Sequence, residues 1–260
     1  ADMLTGVLGV WFQGTNQAYF MGLFLLISAY FVPGSYDRKG PGQFLKDRLI
    51  RLGIPLAIYS WFLRPILIYL DPIQGPGAGI PLLDFLGRYF QNSAILGSGP
   101  LWFIETLLIF SMVYVLWRLA TSGRKPALMP ATSAPSVSAA FPGNLAIAIF
   151  AVLLGLASFL VRQVWPVMWA FQPLNLQFPF FAQYIALFIV GLVAYRRRWF
   201  ATLPASTGKL WLGIAVAVIL SFLPIMILGG ALTEGTAPFL GGWRWQALAF
   251  AMWESMLCVG

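Results

Sequence analysis

Residues 16–55 read NQAYFMGLFLLISAYFVPGSYDRKGPGQFLKDRLIRLGIP. The stretch opens within an apolar run, 15–33, that is long enough to cross a bilayer, since a spanning helix takes about 20 residues. The loop expected after this run is short and carries three basic residues, Arg38, Lys39 and Lys46. Arg48 and Arg51 then stand three residues apart where the next apolar run begins. This order predicts two membrane spans, with a pair of cations at the cytoplasmic mouth of the second.

The composition of the whole chain also points to a membrane. Of its 260 residues, 60% are hydrophobic and 9% are charged, whereas soluble domains carry about 25% charged residues. Seven apolar windows have roughly the length of a spanning helix: 15–33, 49–70, 101–120, 144–164, 178–195, 209–230 and 244–260. The sequence therefore predicts an all-α, polytopic membrane helical bundle with about seven transmembrane helices.

Basic residues set the expected orientation, because Lys and Arg collect in cytoplasmic loops. Alternate loops hold five, three and four basic residues, which is 12 of the 16 in the chain. This count places Ala1 outside the cytoplasm and has Gly260 heading inward. Because the net charge of +8 belongs to short loops between apolar runs, nucleic acid is not an expected partner.

Two connecting segments have distinctive compositions. Segment 121–143 is rich in Pro, Ala and Ser, which predicts a flexible cytoplasmic loop. Segment 71–100, expected outside, contains IPLLDFLGRYFQN with helical apolar spacing, which predicts a helix lying in the membrane interface. Asp84 and Arg88 in that helix have the i, i+4 spacing of a surface ion pair.

Three ionisable side chains fall within the predicted membrane: Arg64, Glu105 and Glu254. Such residues are costly there and are candidates for function. Arg64 and Glu105 lie at matching depth on consecutive runs, so we expect them to pair or to line one outward-facing cavity; a purely architectural pair is the alternative. Glu254 lies near the midplane, where the seven runs offer no basic residue. It is therefore protonated, faces a polar cavity or has its partner outside this chain.

The missing residue types exclude several kinds of site. The chain has no histidine, which removes Ser–His triads and most zinc sites, and no metal site is expected. The single cysteine, Cys258, cannot form a disulfide within the chain and is read as a packed apolar thiol.

Arg48 and Arg51 allow two interpretations. Spaced three residues apart, they share a helical face and can simply anchor the helix at the inner surface. Paired guanidiniums also suit phosphate groups, which makes an anionic site the functional alternative. Pro55, four residues after Arg51, removes a backbone donor and can loosen the helix there.

Several segments, in order, resemble the acyltransferase 3 family of integral membrane acyltransferases. They are FMGLFLLISAYF at 20–31, FLKDRLIRLGIP at 44–55 and GPLWFIETLLIF at 99–110. The family pattern falls here on Phe44, Arg48, Arg51, Pro55, Leu101, Trp102 and Phe103. The ending AMWESMLCVG, with Trp253 and Glu254, is similar to a late family span. The resemblance covers essentially the whole chain.

The resemblance implies transfer of an acyl group, of acetyl or succinyl type, from acyl-CoA to a hydroxyl of a sugar or glycan. It implies acyl-donor binding by Arg48 and Arg51. The candidates for the acceptor cavity are Arg64, Trp102, Glu105 and Glu254. Acyl-CoA is then a co-substrate with no bound cofactor, and the partners are the lipid bilayer, acyl-CoA and a carbohydrate acceptor. The implied location is the bacterial inner membrane.

The chain departs from the family in two respects, of which Ser28-Ala29 in place of the usual Ser-Gly is the minor one. The family's catalytic histidine precedes the first span present here, and this sequence has none. We therefore expect no catalytic residue in this chain and interpret it as a single acyltransferase-like domain over 1–260, incomplete at both ends. Such a fragment is expected to be inactive, because the base for the acceptor hydroxyl is missing. Two other classes stay open: a transporter or flippase of a glycan or lipid-linked substrate, and a non-catalytic membrane scaffold.

Overall fold

A computed structural model describes residues 3–71, 80–92, 99–121, 140–172 and 174–260. Over these ranges the chain forms helices and turns and no β-strand, apart from an isolated bridge between Phe171 and Leu176. The predicted all-α class is confirmed. The α-helices of these ranges are α1 Met3–Arg48, α2 Ile54–Ile58, α3 Arg64–Leu70, α4 Leu82–Asn92, α5 Trp102–Thr121, α6 Asn144–Val164, α7 Phe181–Arg197, α8 Ala205–Leu228 and α9 Trp245–Val259.

Five helical stretches in the described part are long and apolar enough to cross a membrane. They are Leu8–Leu70, Gly99–Thr121, Asn144–Val164, Phe178–Arg197 and Ala205–Leu228. The first stretch contains two of the predicted runs. The last predicted run forms α9, which has 15 residues. All seven apolar runs are thus largely helical, as an integral membrane bundle requires, because backbone groups in lipid must bond within the protein.

The basic segment after the first run is helical rather than a loop, which corrects the prediction. α1 continues to Arg48 and is broken within that segment at Gly40, whose φ of 73° and ψ of 169° are not helical. This backbone conformation is open essentially to glycine alone. One hydrogen bond spans the break, since Lys39 donates to Asp47. Asp47 also accepts a hydrogen bond of 2.6 Å from Gln43, which lies on the same side of the break as Asp47. Asp47 therefore links the helix before Gly40 to the helix after it.

Two π-helical segments interrupt the second apolar run. They cover Leu49–Gly53 and Tyr59–Leu63, and each ends just before a helix that carries a proline in its first turn. The prolines, Pro55 and Pro65, lack a backbone N–H, and their rings clash with the carbonyl four residues earlier. A widened turn with i→i+5 bonds relieves both problems. The predicted loosening near Pro55 therefore takes the form of a π segment.

The chain divides into two compact units. The first unit contains Ala1–Gly34, Ala131–Trp169 and Gln177–Gly260, and the second contains Ser35–Pro130 and Ala170–Leu176. The predicted single domain over 1–260 stays a prediction.

Small residues let the helices of the first unit approach closely. A Cβ at Gly155 of α6 would lie 3.2 Å from the Cα of Met252 in α9. Ala247 and Ala251, on the same helix as Met252, are fully buried against Phe159. Close packing of small residues is the usual source of helix association in lipid, and it fixes α6 against α9.

Aromatic rings pack the described core of the second unit. Tyr36 lies with its ring centroid 5.8 Å from that of Phe44 and 5.5 Å from that of Tyr114. Arg118 covers the Tyr36 ring at 5.4 Å and pairs with Asp37 at 3.6 Å. These contacts join the end of α1 to α5.

The helix predicted within segment 71–100 is present as α4, and its place in the membrane interface stays a prediction. Its Phe85 is buried, while Leu83 is 81% exposed. The ion pair suggested by the spacing of Asp84 and Arg88 does not form, since neither side chain is paired with an opposite charge among the described residues. The predicted loop at 121–143 lies, except for its ends, outside the described residues.

Candidate functional site

Arg48 and Arg51 lie where α1 gives way to the first π segment. Arg48 is half-buried, and its guanidinium carbon is 5.3 Å from the centroid of the Phe44 ring. Arg51 is exposed. Within the described ranges neither arginine forms an ion pair, and the nearby Asp47 is held by Lys39 and Gln43. The two guanidiniums therefore keep donors for an external anion.

The π segment also changes how the two arginines are arranged. The prediction assumed α-helical spacing, in which residues three apart share a face. A turn closed by i→i+5 bonds holds more residues, so three residues cover a smaller part of it. The predicted shared face of Arg48 and Arg51 therefore rests on α-helical spacing that the π segment alters.

Arg64 is held by α4 and not by the carboxylate predicted for it. Its Nη1 donates to the hydroxyl of Tyr89 at 2.8 Å, and its guanidinium carbon is 5.9 Å from the centroid of that ring. It forms no ion pair with Glu105, so the pairing prediction is wrong. The reason is that the interfacial helix presents an aromatic acceptor close to Arg64. The shared cavity stays a prediction.

Trp102 and Glu105 lie in the first turn of α5, and both are buried. A carboxylate in the first turn is stabilised by the helix dipole. The next residue, Thr106, donates to the Trp102 carbonyl at 2.9 Å, so its hydroxyl is satisfied within the helix. This end of α5 thus holds an acid and an indole ring in the interior of the second unit.

Glu254 has its partner within the chain, contrary to the prediction. In α9 its carboxylate forms an ion pair with Arg162 of α6, and both side chains are almost completely buried. Arg162 lies only two residues before the end of α6. A long arginine side chain can hold its charge well away from its own Cα. Here the guanidinium reaches Glu254 of α9.

The guanidinium of Arg162 lies between two aromatic rings. Its carbon is 5.1 Å from the centroid of Phe180 and 5.5 Å from that of Phe250. Cation–π contacts of this kind are strongest in desolvated surroundings. The Nε and Nη1 atoms of Arg162 have no partner among the described residues, and neither do the hydroxyls of Ser158 and Ser255. The ion pair is therefore the centre of a buried polar cluster.

Two further polar side chains adjoin this cluster from α7. Gln183 is buried and donates to the Ala18 carbonyl at 2.9 Å, and it also hydrogen-bonds the thiol of Cys258. Tyr184, the next residue, is buried as well and interacts electrostatically with Glu254 and Arg162. Cys258 is a free thiol of intermediate exposure.

Arg162 is a site residue that was not predicted, although the sequence carries a signal for it. Ser158 and Arg162 stand at i, i+4 in an otherwise apolar run, which places two polar groups on one helical face. No local pattern in the sequence indicates that Glu254, on another helix, is the partner of Arg162.

The predicted site residues are distributed over both units. Five lie in the second unit, Arg48, Arg51, Arg64, Trp102 and Glu105, while Glu254 belongs to the first. In the part of the chain that the structure describes, no group of three or more Cys, Asp or Glu side chains could hold a metal ion.

Comparison with known proteins gives one result. A family model described as an acyltransferase domain, that of the acyltransferase 3 family, matches residues 4–260. No curated protein and no solved structure gives a significant match. Because the match runs through nearly the whole chain, whose long apolar helices suit a bilayer, this integral membrane protein belongs to the acyltransferase 3 family.

Proposed function

We propose that the full-length protein moves an acyl group, of acetyl or succinyl type, from cytoplasmic acyl-CoA to a hydroxyl of a sugar or glycan. The bacterial inner membrane is the proposed location. The proposal rests on Arg48 and Arg51, in a chain that belongs to the acyltransferase 3 family. Neither arginine forms an ion pair with a carboxylate of the described residues. The basic segments around them put this pair on the cytoplasmic side.

The donor chemistry fits two guanidiniums well. Acyl-CoA carries a diphosphate and a further phosphate, and guanidinium groups bind phosphate oxygens with paired hydrogen bonds. The Phe44 ring covers one face of Arg48 and restricts its rotation, which leaves the N–H groups at its edge for the ligand. Arg48 and Arg51 then bind and orient the donor.

The transfer itself needs a base. The acceptor oxygen attacks the thioester carbonyl, its proton passes to a base, and the sulfur of coenzyme A leaves and takes up a proton. The family resemblance implies a histidine for this role, and the present sequence contains none. We accordingly propose that the base comes from a segment outside this sequence, and that these residues alone are inactive. Direct transfer and an acyl-histidine step are both consistent with this proposal.

We assign the acceptor to the residues at the start of α5 and their surroundings. Buried Trp102 can stack on a sugar ring, and Glu105 can accept hydrogen bonds from its hydroxyls. Arg64, fixed by Tyr89, is the proposed donor of hydrogen bonds to the same acceptor. Glu254 stays a candidate with Arg162 as its partner.

The test is acyl-CoA-dependent acylation by membranes that contain the full-length protein. Replacing both arginines, Arg48→Ala with Arg51→Ala, is expected to lower kcat/KM for the donor at least about 100-fold, since each hydrogen bond to a charged group contributes about 1.5–3 kcal/mol. Most of the loss should be in the KM for acyl-CoA, because the arginines bind the donor.

The matched control removes two exposed cations elsewhere, Arg88→Ala with Arg244→Ala, and should leave the donor KM unchanged. Equal activity of the two double variants would refute the donor assignment. Movement of a glycan across vesicles without any acyl transfer would support the transporter alternative in its place.

A further inference from the structure

A cavity of about 510 Å³ lies within the first unit, and none of the residues assigned to acyl transfer lines it. Its walls are apolar almost throughout and come from α1, α6, α7, α8, the end of α9 and the region joining α7 to α8, for example Leu26, Phe150, Leu187, Val190 and Leu203. The volume is typical of small-molecule sites, which range from about 300 to 1,000 Å³. The apolar walls suit a hydrocarbon chain.

Three cations are close neighbours in sequence of residues that line this cavity. Arg197 and Arg198 are exposed and directly precede Trp199, which lines the cavity. Lys209 is exposed and directly follows Gly208, which also lines it. The guanidinium carbon of Arg197 is 6.0 Å from the centroid of the Trp199 ring, so this charge reaches the cavity wall. None of the three cations pairs with a carboxylate in the described ranges.

A buried hydrogen-bond donor adjoins the same cavity. The Nε1 of Trp199 is buried and has no partner among the described residues. The other indole of the wall, that of Trp211, donates to Asn144 at 3.2 Å. A buried donor left unpaired costs free energy, so an oxygen acceptor beside Trp199 would be favourable.

We propose that this cavity binds an anionic phospholipid. One acyl chain fills the apolar cavity, the phosphate lies near Arg197, Arg198 and Lys209, and the Trp199 indole donates to a phosphate or ester oxygen. The charge selects an anionic over a zwitterionic headgroup. The basic segment belongs to the cytoplasmic side, where anionic lipids attract membrane proteins through such clusters.

The test measures contact quenching of tryptophan fluorescence in vesicles. The full-length protein is reconstituted in phosphatidylcholine with increasing phosphatidylglycerol whose acyl chains are brominated, and with brominated phosphatidylcholine for comparison. The sequence has 11 tryptophans. The fluorescence of Trp199 is therefore taken as the difference between the wild type and the Trp199→Phe variant. Brominated phosphatidylglycerol should quench the Trp199 fluorescence at a membrane fraction about tenfold lower than brominated phosphatidylcholine, because the cations attract an anionic headgroup.

Two variants separate charge from cavity. Arg197→Gln with Lys209→Gln should weaken the preference for phosphatidylglycerol at least about tenfold, while Arg88→Gln with Arg244→Gln should not. Gly208→Leu should abolish quenching at the site: a Cβ there would have Leu203 Cδ2 as its nearest contact, at 3.9 Å, so the larger side chain can enter the cavity. Gly213→Leu, on the same helix with nothing within 4 Å of its Cβ, is the matched control.

Equal quenching by the two lipids, or quenching that Gly208→Leu leaves intact, overturns the proposal. Release of phosphatidylglycerol by acetyl-CoA also overturns it, because the cations would then belong to the acyl donor. The quenching measurement involves no acyl transfer, so equal quenching by the two lipids leaves the proposed function untouched.

Discussion

Arg162 and Glu254 are the clearest case in which single side chains determine the interior of this protein. Each is 1% exposed, and the guanidinium also contacts the rings of Phe180 and Phe250. A buried ion pair is costly to break, because the remaining charge has neither water nor a partner. It is much less costly to remove as a whole.

This asymmetry predicts the outcome of a double-mutant cycle. Arg162→Met and Glu254→Met should each destabilise the protein by about 3–5 kcal/mol, whereas the double variant should unfold close to the wild type. Thermal unfolding in detergent measures all four proteins. Losses that simply add in the double variant would show that the two side chains are not coupled.

The stable double variant then tests function. If Glu254 contributes to the acceptor site, the variant should fold normally and show a raised KM for the acceptor with an unchanged KM for acyl-CoA. Unaltered kinetics would restrict Glu254 to an architectural role.

At the scale of elements, two local features change the course of the helix on either side of Arg48. Gly40 breaks α1 before Arg48, and the π segment Leu49–Gly53 begins directly after it. The first depends on a backbone conformation that glycine tolerates, and the second on Pro55. Both devices are encoded in the sequence by single residues.

The break at Gly40 makes a prediction about stability. A Cβ at Gly40 would meet nothing within 4 Å, so the cost of Gly40→Ala is conformational alone. We expect a loss of about 1–3 kcal/mol, measured as a lower Tm. Gly42→Ala is the matched control, because Gly42 is helical and also has open space around it.

Alanine in place of a helical glycine should raise stability by about 0.5–1 kcal/mol. The two neighbouring substitutions are therefore expected to shift the Tm in opposite directions. A shift of the same sign and size would mean that the chain at Gly40 straightens without cost.

At the scale of the whole molecule, charge predicts the membrane orientation. The basic segments around Arg48 and after α7 are expected on the cytoplasmic side, and α4 is expected on the opposite side. The acyl-donor site and the lipid site that we propose both depend on this orientation.

Labelling of single cysteines tests the orientation. With Cys258→Ser as background, Gly87→Cys in α4 should react with a membrane-impermeant maleimide on intact spheroplasts. Ser206→Cys, exposed at the start of α8, should react only after permeabilisation. The reverse pattern would invert the topology and place Arg48 and Arg51 outside.

The sequence by itself determined the helical class, the seven apolar runs, the basic segments and the family. Those properties are local: about 20 apolar residues suffice for a span, and motif order is read along the chain. Only the tertiary structure paired Arg162 with Glu254, 92 positions away. It also brought Arg64 within hydrogen-bonding distance of Tyr89 and formed the apolar cavity that Trp199 lines. These contacts depend on how helices distant in sequence rotate and pack against one another, which neither hydropathy nor charge counts along the chain encode.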